Sequence, residues 1–151
     1  MSRTAIDTSV IVAAHLSRHD HHKASFRALA ATLESEESLI LPLPALTEAY
    51  SVLTRLPTPH RLSPADAFQV LHRSFREVAS IVSLSGQDVW PFFADLSQSG
   101  SAGGATYDFQ IIACAVKGGA ERILTLNTRH FERLKPDGLE IVNPLTEPFD
   151  A

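Results

Sequence analysis

Four polar residues in this 151-residue sequence stand where a fold can bring distant side chains together. Asp7 directly follows a predicted strand, Asn127 directly follows another, and Asp108 lies in the first turn of a predicted helix. Glu48 lies early in a helix, at the border of its apolar stripe. Open parallel sheets bind ligands beyond the carboxyl ends of their strands. The four positions are therefore compatible with a single cleft.

Convergence of Asp7, Glu48 and Asp108 has a chemical consequence. Two unit charges about 4 Å apart repel by roughly 4 kcal/mol at an effective dielectric constant near 20. Either some carboxyl groups keep a proton and have raised pKa values, or a divalent cation neutralises them. A ligand set of Asp, Glu and Asn oxygens suits Mg²⁺ or Mn²⁺ rather than Zn²⁺. Such an ion activates water and stabilises charge on a phosphoryl group, which is the chemistry of phosphodiester hydrolysis.

Each of the four residues also suits a purely structural role. Asp7 suits the N-cap of the helix that follows it. Glu48 and Asp108, near helix starts, are favoured there by the helix dipole by roughly 0.3–1 kcal/mol each. Asn127 is of a residue type common in turns. Spacing alone does not decide between these roles and a shared site.

The elements that position these residues alternate along the chain. Hydrophobic periodicity and capping signals predict strands at residues 3–6, 39–41, 79–84, 123–126 and 139–142. They predict helices at 10–16, 23–33, 44–56, 63–75, 85–96 and 106–117, then a short helix that buries Phe131 and Leu134. Residues 97–104, small and polar, are predicted to form a loop. This alternation predicts an α/β domain around a parallel sheet.

Several large side chains are predicted to face inward from these helices because they fall on the apolar stripes. They are Phe26, Tyr50, Phe68 and Phe93. The single cysteine, Cys114, lies in an apolar run and is expected to be buried, and it has no partner for an internal disulfide.

The composition is typical of a soluble globular protein, with 44% hydrophobic and 20% charged residues. The length fits one domain, expected to span residues 1–151. The net charge of −4 weakens the expectation of a broadly basic nucleic-acid-binding surface. Scattered arginines still allow a local basic face: Arg55, Arg61, Arg73, Arg76, Arg122, Arg129 and Arg133.

The sequence shows no signal peptide and no run near the roughly 18 apolar residues that a membrane span needs. We therefore expect a cytoplasmic protein without a membrane partner. No glycine-rich phosphate loop is present, so nucleotide-cofactor chemistry is unsupported. A histidine cluster suggests zinc, but residues 17–22 are predicted to be a loop, which favours solvated side chains: His15, His19, His21 and His22.

Four segments resemble the motifs of PIN domains, in the order and spacing of that family. Residues 5–11, Ala-Ile-Asp-Thr-Ser-Val-Ile, resemble the opening strand that delivers the first acid. Thr47-Glu48 resembles the second motif, residues 107–115 the third, and residues 124–131 the fourth. Together the four segments span nearly the whole chain, and the ordered set is more specific than any one of them.

This resemblance implies a three-layer α/β/α sandwich with a central, mostly parallel sheet. It implies RNA cleavage dependent on Mg²⁺ or Mn²⁺, at an acidic metal site formed by Asp7, Glu48 and Asp108. We expect Asp7 and Asp108 to hold the metal directly, and Glu48 to hold it too or to orient the attacking water. We expect Thr8 and Thr125 to support the site through their hydroxyls. The subgroup with the greatest resemblance is the VapC toxins, which pair with a small antitoxin and commonly form homodimers.

The fourth motif departs from the family pattern. Many relatives have an aspartate at the place of Asn127 or of His130, and here neither residue is acidic. Asn127 still offers an oxygen ligand, but the lost charge weakens metal binding and leaves one or two metal ions as alternatives. His130 suits a structural or RNA-contacting role.

The departure supports an alternative, a catalytically weak PIN-like module that binds RNA or a protein. A third possibility is a metal phosphohydrolase that acts on small phosphate esters.

Overall fold

Five short strands form the sheet of the computed structural model, which describes residues 2–35, 37–134 and 137–146. The strands are β1 (Arg3–Ile6), β2 (Ser38–Pro42), β3 (Ala79–Val82), β4 (Arg122–Leu124) and β5 (Glu140–Val142). Their spatial order is β3-β2-β1-β4-β5, and every neighbouring pair is parallel. The expected parallel α/β sheet is confirmed, and β1, which leads into Asp7, is its central strand.

Helices connect the strands and begin close to the predicted positions. They are α1 (Thr8–His15), α2 (His22–Glu34), α3 (Leu43–Thr54), α4 (Pro64–Phe75), α5 (Val89–Ser99), α6 (Ala105–Lys117) and α7 (Thr128–Arg133), with a 3₁₀ turn at Gly86–Asp88. The predicted cap of α4 is present, because the Ser63 hydroxyl accepts a hydrogen bond from the N–H of Asp66 at 3.1 Å. The helix α5 ends at Ser99 rather than near Leu96, within the predicted loop 97–104, and is followed by Gly100, whose φ of 75° suits glycine.

The core explains why the molecule has three layers. Consecutive residues of a strand point to opposite faces of the sheet. Two consecutive residues on each of the strands β1 and β4 are fully buried: Ala5 and Ile6, and Ile123 and Leu124. Both faces of the central strands are therefore covered, and helices on both sides give the expected α/β/α sandwich.

The predicted inward positions of four aromatic residues are wrong. Phe26 is 55% exposed, Phe68 56%, Phe93 48% and Tyr50 38%. Other residues of these helices are buried in their place, such as Ala28 in α2 and Phe92 in α5. Leu53 and Phe75, on the same apolar stripes as Tyr50 and Phe68, are buried as expected.

Cys114 is buried and free, as the sequence indicates. Within the described ranges, no helix combines the length and apolar character needed to cross a membrane.

Candidate functional site

The Asp7 carboxylate lies at the junction of β1 and α1. The backbone N–H of Asp7 donates to the carbonyl oxygen of Leu124 at 2.9 Å, which continues the pairing of β1 with β4. Its side-chain Oδ2 accepts hydrogen bonds from Ser9 Oγ at 2.7 Å and from Thr125 Oγ1 at 2.8 Å. Because Asp7 is only 2% exposed, these contacts fix the direction of its carboxylate.

Asp7 also has the structural role that its position allows. It is the N-cap of α1, and its Oδ2 accepts a hydrogen bond from the N–H of Ser9 at 3.4 Å. Burial raises the pKa of Asp7, and the hydrogen bonds from Ser9 and Thr125 offset this only in part. The two hydroxyls therefore hold the carboxylate in a place where its negative charge is unfavourable without a cation.

Glu48 reaches the same region from α3, which packs against α1. The Thr8 hydroxyl donates to Glu48 Oε2 at 3.3 Å and also lies 3.3 Å from the carbonyl oxygen of Ala45. Thr8 is buried whereas Glu48 is exposed. The first residue of α1 thus connects α1 to the early part of α3 and contacts the second carboxylate.

Asp108 lies in the first turn of α6. Its pKa is raised to about 6, mainly by burial and then by the negative charges of Asp7 and Glu48. His130 acts in the opposite direction, and its Nδ1 lies 3.8 Å from Asp108 Oδ2. The three carboxylates are thus close enough for two of them to disfavour the charge on the third.

Two adjoining cavities are lined by most of the predicted site residues. The first, of about 390 Å³, is lined among others by Asp7, Thr8, Glu48, Asp108 and Asn127. The second, of about 640 Å³, shares Glu48, Asp108 and Asn127 and adds His130 and Arg133. The fold therefore brings together side chains that the sequence separates by as many as 120 positions, from Asp7 to Asn127.

Thr125 and Asn127 support the site in different ways. Thr125 lies behind it, where its hydroxyl donates to Asp7 and accepts from the Asn127 N–H at 2.9 Å. Asn127 is the N-cap residue of α7, but its side chain makes no capping hydrogen bond. The Asn127 side chain lines both cavities instead.

The donor chemistry fits a hard divalent cation. Three carboxylates and one amide face the cavities, and such oxygen ligands are those of Mg²⁺ and Mn²⁺. Burial, and after it the negative charges of Asp7 and Glu48, raise the pKa of Asp108, and a bound cation would relieve this cost of ionisation. Among the described residues, no three acidic, histidine or cysteine side chains already stand in the close arrangement of a formed metal site.

Ser9 has a role that the sequence analysis missed. Ser9 Oγ donates to Asp7 and accepts from the N–H of Leu126 at 3.0 Å. It therefore connects the first carboxylate to the segment that follows β4. The only signal in the sequence is a hydroxyl residue two positions after the acid.

The four histidines between residues 15 and 22 divide into two groups. His15 and His22 bind backbone carbonyls, with ring nitrogens 2.7 Å from Ile11 O and 2.9 Å from Ala13 O. His19 and His21 line the smaller carboxylate cavity, a position that the predicted solvated loop did not suggest. No zinc site is formed by His, Cys, Asp and Glu side chains in the described part of the chain.

Known proteins resemble this chain in sequence and in fold. The family model described as PIN domain matches residues 4–135. Ribonuclease VapC40 of Mycobacterium tuberculosis is 33% identical over 136 residues, which cover 87% of this chain and 93% of that protein. Ribonuclease VapC27 of the same organism is 33% identical over 138 residues, covering 91% and 94%.

A solved structure, VapBC-1 from nontypeable Haemophilus influenzae, has the same fold. It superposes with a TM-score of 0.66 at 16% identity and covers 95% of this chain and 99% of that one.

Proposed function

The chain belongs to the PIN domain family, and from that premise we propose that it is a metal-dependent ribonuclease of the VapC type. The observation that carries the proposal is the meeting of three carboxylates from three separate elements. Asp7 follows β1, Glu48 lies on α3 and Asp108 on α6, and all three line one cavity. The two relatives with 33% identity, both named ribonucleases, support RNA as the substrate.

Asp7, Glu48 and Asp108 would hold the cation, which we propose to be Mg²⁺ or Mn²⁺. When bound, such an ion supplies an activated water and stabilises negative charge on the phosphoryl group. Asp7 is already oriented for this purpose by the hydroxyls of Ser9 and Thr125. These hydroxyls fix the carboxylate without cancelling its charge, so the affinity for a cation is retained.

The remaining carboxylates have separate tasks. Glu48 is exposed and is contacted by a single hydroxyl at 3.3 Å, so it retains freedom to contact the cation or to orient the attacking water. Asp108, with a pKa of about 6, is mostly ionised at neutral pH. Asn127 lines the cavity with a neutral amide, which suits a weaker fourth ligand.

The RNA backbone has a suitable place next to the carboxylates. The cavity of about 640 Å³ adds His130 and Arg133 to the acidic residues. Cationic and polar side chains bind phosphate groups and position nucleic acids. We therefore assign the phosphates that flank the cleaved bond to this cavity.

We also propose that the chain acts as the toxin of a toxin–antitoxin pair. One similar solved structure is that of VapBC-1, and a small antitoxin protein is the expected partner. We further propose that the chain forms a homodimer, that residues 1–151 form a single PIN domain, and that the protein is cytoplasmic. Copurification with the product of a neighbouring short gene, and light scattering of the purified chain, test the two assembly statements.

Cleavage of total cellular RNA with Mg²⁺ tests the proposed activity. Asp7→Asn and Asp108→Asn are expected to lower the cleavage rate at least about 100-fold, because each removes a charged ligand. Asp95→Asn is a matched control, since Asp95 is an exposed residue of α5 outside the cavities. Cleavage at the wild-type rate by both folded site variants contradicts the proposal.

The alternative of a weak binding module is supported by the neutral Asn127. Calorimetry with Mg²⁺ separates the two functions. An RNA-binding chain that binds no Mg²⁺ and cleaves no RNA is the module, whereas Mg²⁺ binding that depends on Asp7 indicates the nuclease.

A further inference from the structure

A third cavity, of about 960 Å³, adjoins the carboxylate site. Glu48 lines this cavity as well as the two that hold the other carboxylates. Its wall combines the rings of Phe93 and Tyr107 with the polar ends of Arg55 and Gln110. Ligand-binding sites commonly combine aromatic walls with a few polar groups in this way.

The helix α6 connects this cavity to the site of cleavage. Asp108 lines the carboxylate cavities, whereas its neighbours Tyr107 and Gln110 line the third one. Successive residues of a helix point about 100° apart, because the helix has 3.6 residues per turn. A single rigid element therefore presents a carboxylate to the phosphodiester site and an aromatic ring to the adjoining cavity.

The side chains of the third cavity are available to a ligand. Tyr107 is 63% exposed, and its ring pairs with no other aromatic ring of the described residues. Phe93 is 48% exposed but is braced by the edge of Phe92, with the ring centroids 5.4 Å apart. Arg55 forms no ion pair within residues 2–35, 37–134 and 137–146.

We propose that this cavity holds the base of an unpaired nucleotide next to the cleaved bond. Tyr107 stacks on the base, and Arg55 and Gln110 contact its edge. The inference rests on the proposed ribonuclease activity and specifies its substrate class, RNA that is single-stranded at the cleavage site. Bases outside a duplex expose their faces for stacking on aromatic side chains, whereas paired bases do not.

Continuity with the phosphodiester site favours a nucleotide over a protein as the occupant. Glu48 lines both cavities, so an RNA chain whose phosphate binds at the carboxylates can extend directly into the cavity that Tyr107 lines. Arg55 adds a positive charge to this cavity, which suits the base acceptors and phosphates of RNA.

A double-perturbation experiment tests the assignment. The substrate is an oligoribonucleotide that carries the bond the wild-type protein cuts fastest in total RNA. In a matched series, each nucleotide within two positions of that bond is replaced in turn by an abasic one. Values of kcat/KM are measured for the wild type, Tyr107→Ala, Tyr107→Phe and Phe26→Ala. Phe26 is the control, because it is 55% exposed on α2 and lines none of the three cavities.

The critical abasic substitution and Tyr107→Ala should remove the same interaction, so their losses of kcat/KM should not multiply. One abasic position lowers wild-type kcat/KM roughly tenfold or more, as loss of a stacked base does. Tyr107→Ala lowers kcat/KM on the intact RNA by a similar factor, and the same abasic position then adds less than about threefold. Tyr107→Phe keeps the ring and remains sensitive to that position, and Phe26→Ala behaves as the wild type.

Two outcomes overturn the inference while leaving the proposed function in place. One is Asp7-dependent cleavage that Tyr107→Ala does not slow. The other is a loss of kcat/KM in Tyr107→Ala that multiplies with the loss from every abasic substitution. A changed molecular mass of the Tyr107→Ala protein in light scattering would then assign the cavity to a protein partner. Absence of any Asp7-dependent cleavage by the wild type overturns the proposed function itself, and this inference with it.

Discussion

The carboxylates next to the two ends of strands β1 and β4 have opposite electrostatic surroundings. At the amino end, Glu37 receives two hydrogen bonds from Arg122 Nη2, at 2.9 and 3.1 Å. Thr4 Oγ1 donates to Glu37 at 2.6 Å and accepts from Arg122 Nε at 2.9 Å. At the carboxyl end, Asp7 receives hydrogen bonds from the hydroxyls of Ser9 and Thr125 and from the N–H of Ser9, but forms no ion pair with a described residue.

The difference separates stability from function within one sheet. A cation of the chain itself neutralises the charge at the amino end, so that end stabilises the fold. At the carboxyl end, neutral hydroxyls fix the direction of the Asp7 carboxylate without neutralising its charge, and burial raises the pKa values of Asp7 and Asp108. We infer that the carboxyl end is arranged to bind an external cation and the amino end is not.

Replacement of Asp7 by asparagine is expected to give the largest difference between the two ends, in both RNA cleavage and stability. Asp7→Asn should lower RNA cleavage at least about 100-fold, yet stabilise the metal-free protein by about 1 kcal/mol or more, because it removes a buried charge. Glu37→Gln should do the reverse and lower the free energy of unfolding without changing cleavage by the folded protein. Chemical denaturation in EDTA and RNA cleavage in Mg²⁺ measure both effects. A loss of stability in metal-free Asp7→Asn contradicts the comparison.

Removal of the cation at the amino end is the next largest change. Arg122→Met leaves the part-buried Glu37 without its guanidinium partner, so the free energy of unfolding should fall by about 1–3 kcal/mol, less than for a fully buried pair. Thermal unfolding should show a decrease of roughly 2–4 °C for each kcal/mol.

The matched control for that change is Arg76→Met. Arg76 is exposed, its Nε lies 3.6 Å from Glu77 Oε1, and the variant should change stability by less than about 1 kcal/mol. Equal effects of Arg122→Met and Arg76→Met would show that the amino-end pair has no special role.

The hydroxyls at the carboxyl end sharpen the comparison further. Thr125→Val removes the hydrogen bond to Asp7 at 2.8 Å and should lower cleavage roughly tenfold, because hydrogen bonds to charged groups contribute about 1.5–3 kcal/mol. Thr32→Val is the control, since Thr32 is equally buried but donates to the Ala28 carbonyl, outside the site. Raising the Mg²⁺ concentration should restore part of the loss in Thr125→Val. No difference in cleavage between the two variants argues against orientation of Asp7 by Thr125.

The smallest expected effect is a pH dependence of stability. The folded-state pKa of Asp108 is about 6, above the ordinary value of 3.8, so the folded protein binds this proton more tightly. The stabilisation is fully present below pH 3.8 and is lost as the pH rises through 6, which amounts to about 1 kcal/mol after allowance for solvent screening. Urea unfolding in EDTA at pH 5 and pH 7 should show this difference in the wild type relative to Asp108→Asn. If the free energies of unfolding of the wild type and Asp108→Asn differ by the same amount at pH 5 and pH 7, this pH dependence is excluded.

The sequence predicts those parts of the fold that depend on local chemistry. Consecutive apolar residues indicate buried strands such as β2, and the Ser63 cap gives the start of α4. Asp7 and Asp108 are predictable as candidate site residues, because one directly follows a strand and the other lies in the first turn of a helix.

The rest depends on contacts between distant parts of the chain. The Glu37–Arg122 pair joins residues 85 positions apart, and nothing near either residue indicates it. The Ser9 hydroxyl also accepts a hydrogen bond from the N–H of Leu126, 117 positions away, and this contact depends on the pairing of β1 with β4. The exposure of Phe26 and Phe68 depends on which neighbouring helix covers the border of a stripe, which periodicity does not specify.

Calorimetric titration with Mg²⁺ at neutral pH tests the central claim most directly. The account predicts that the wild type and Glu37→Gln bind Mg²⁺ with similar affinity, whereas Asp7→Asn and Asp108→Asn bind it at least about tenfold more weakly. Equal Mg²⁺ affinity in the wild type and Asp7→Asn, or no binding by the folded wild type, would contradict it.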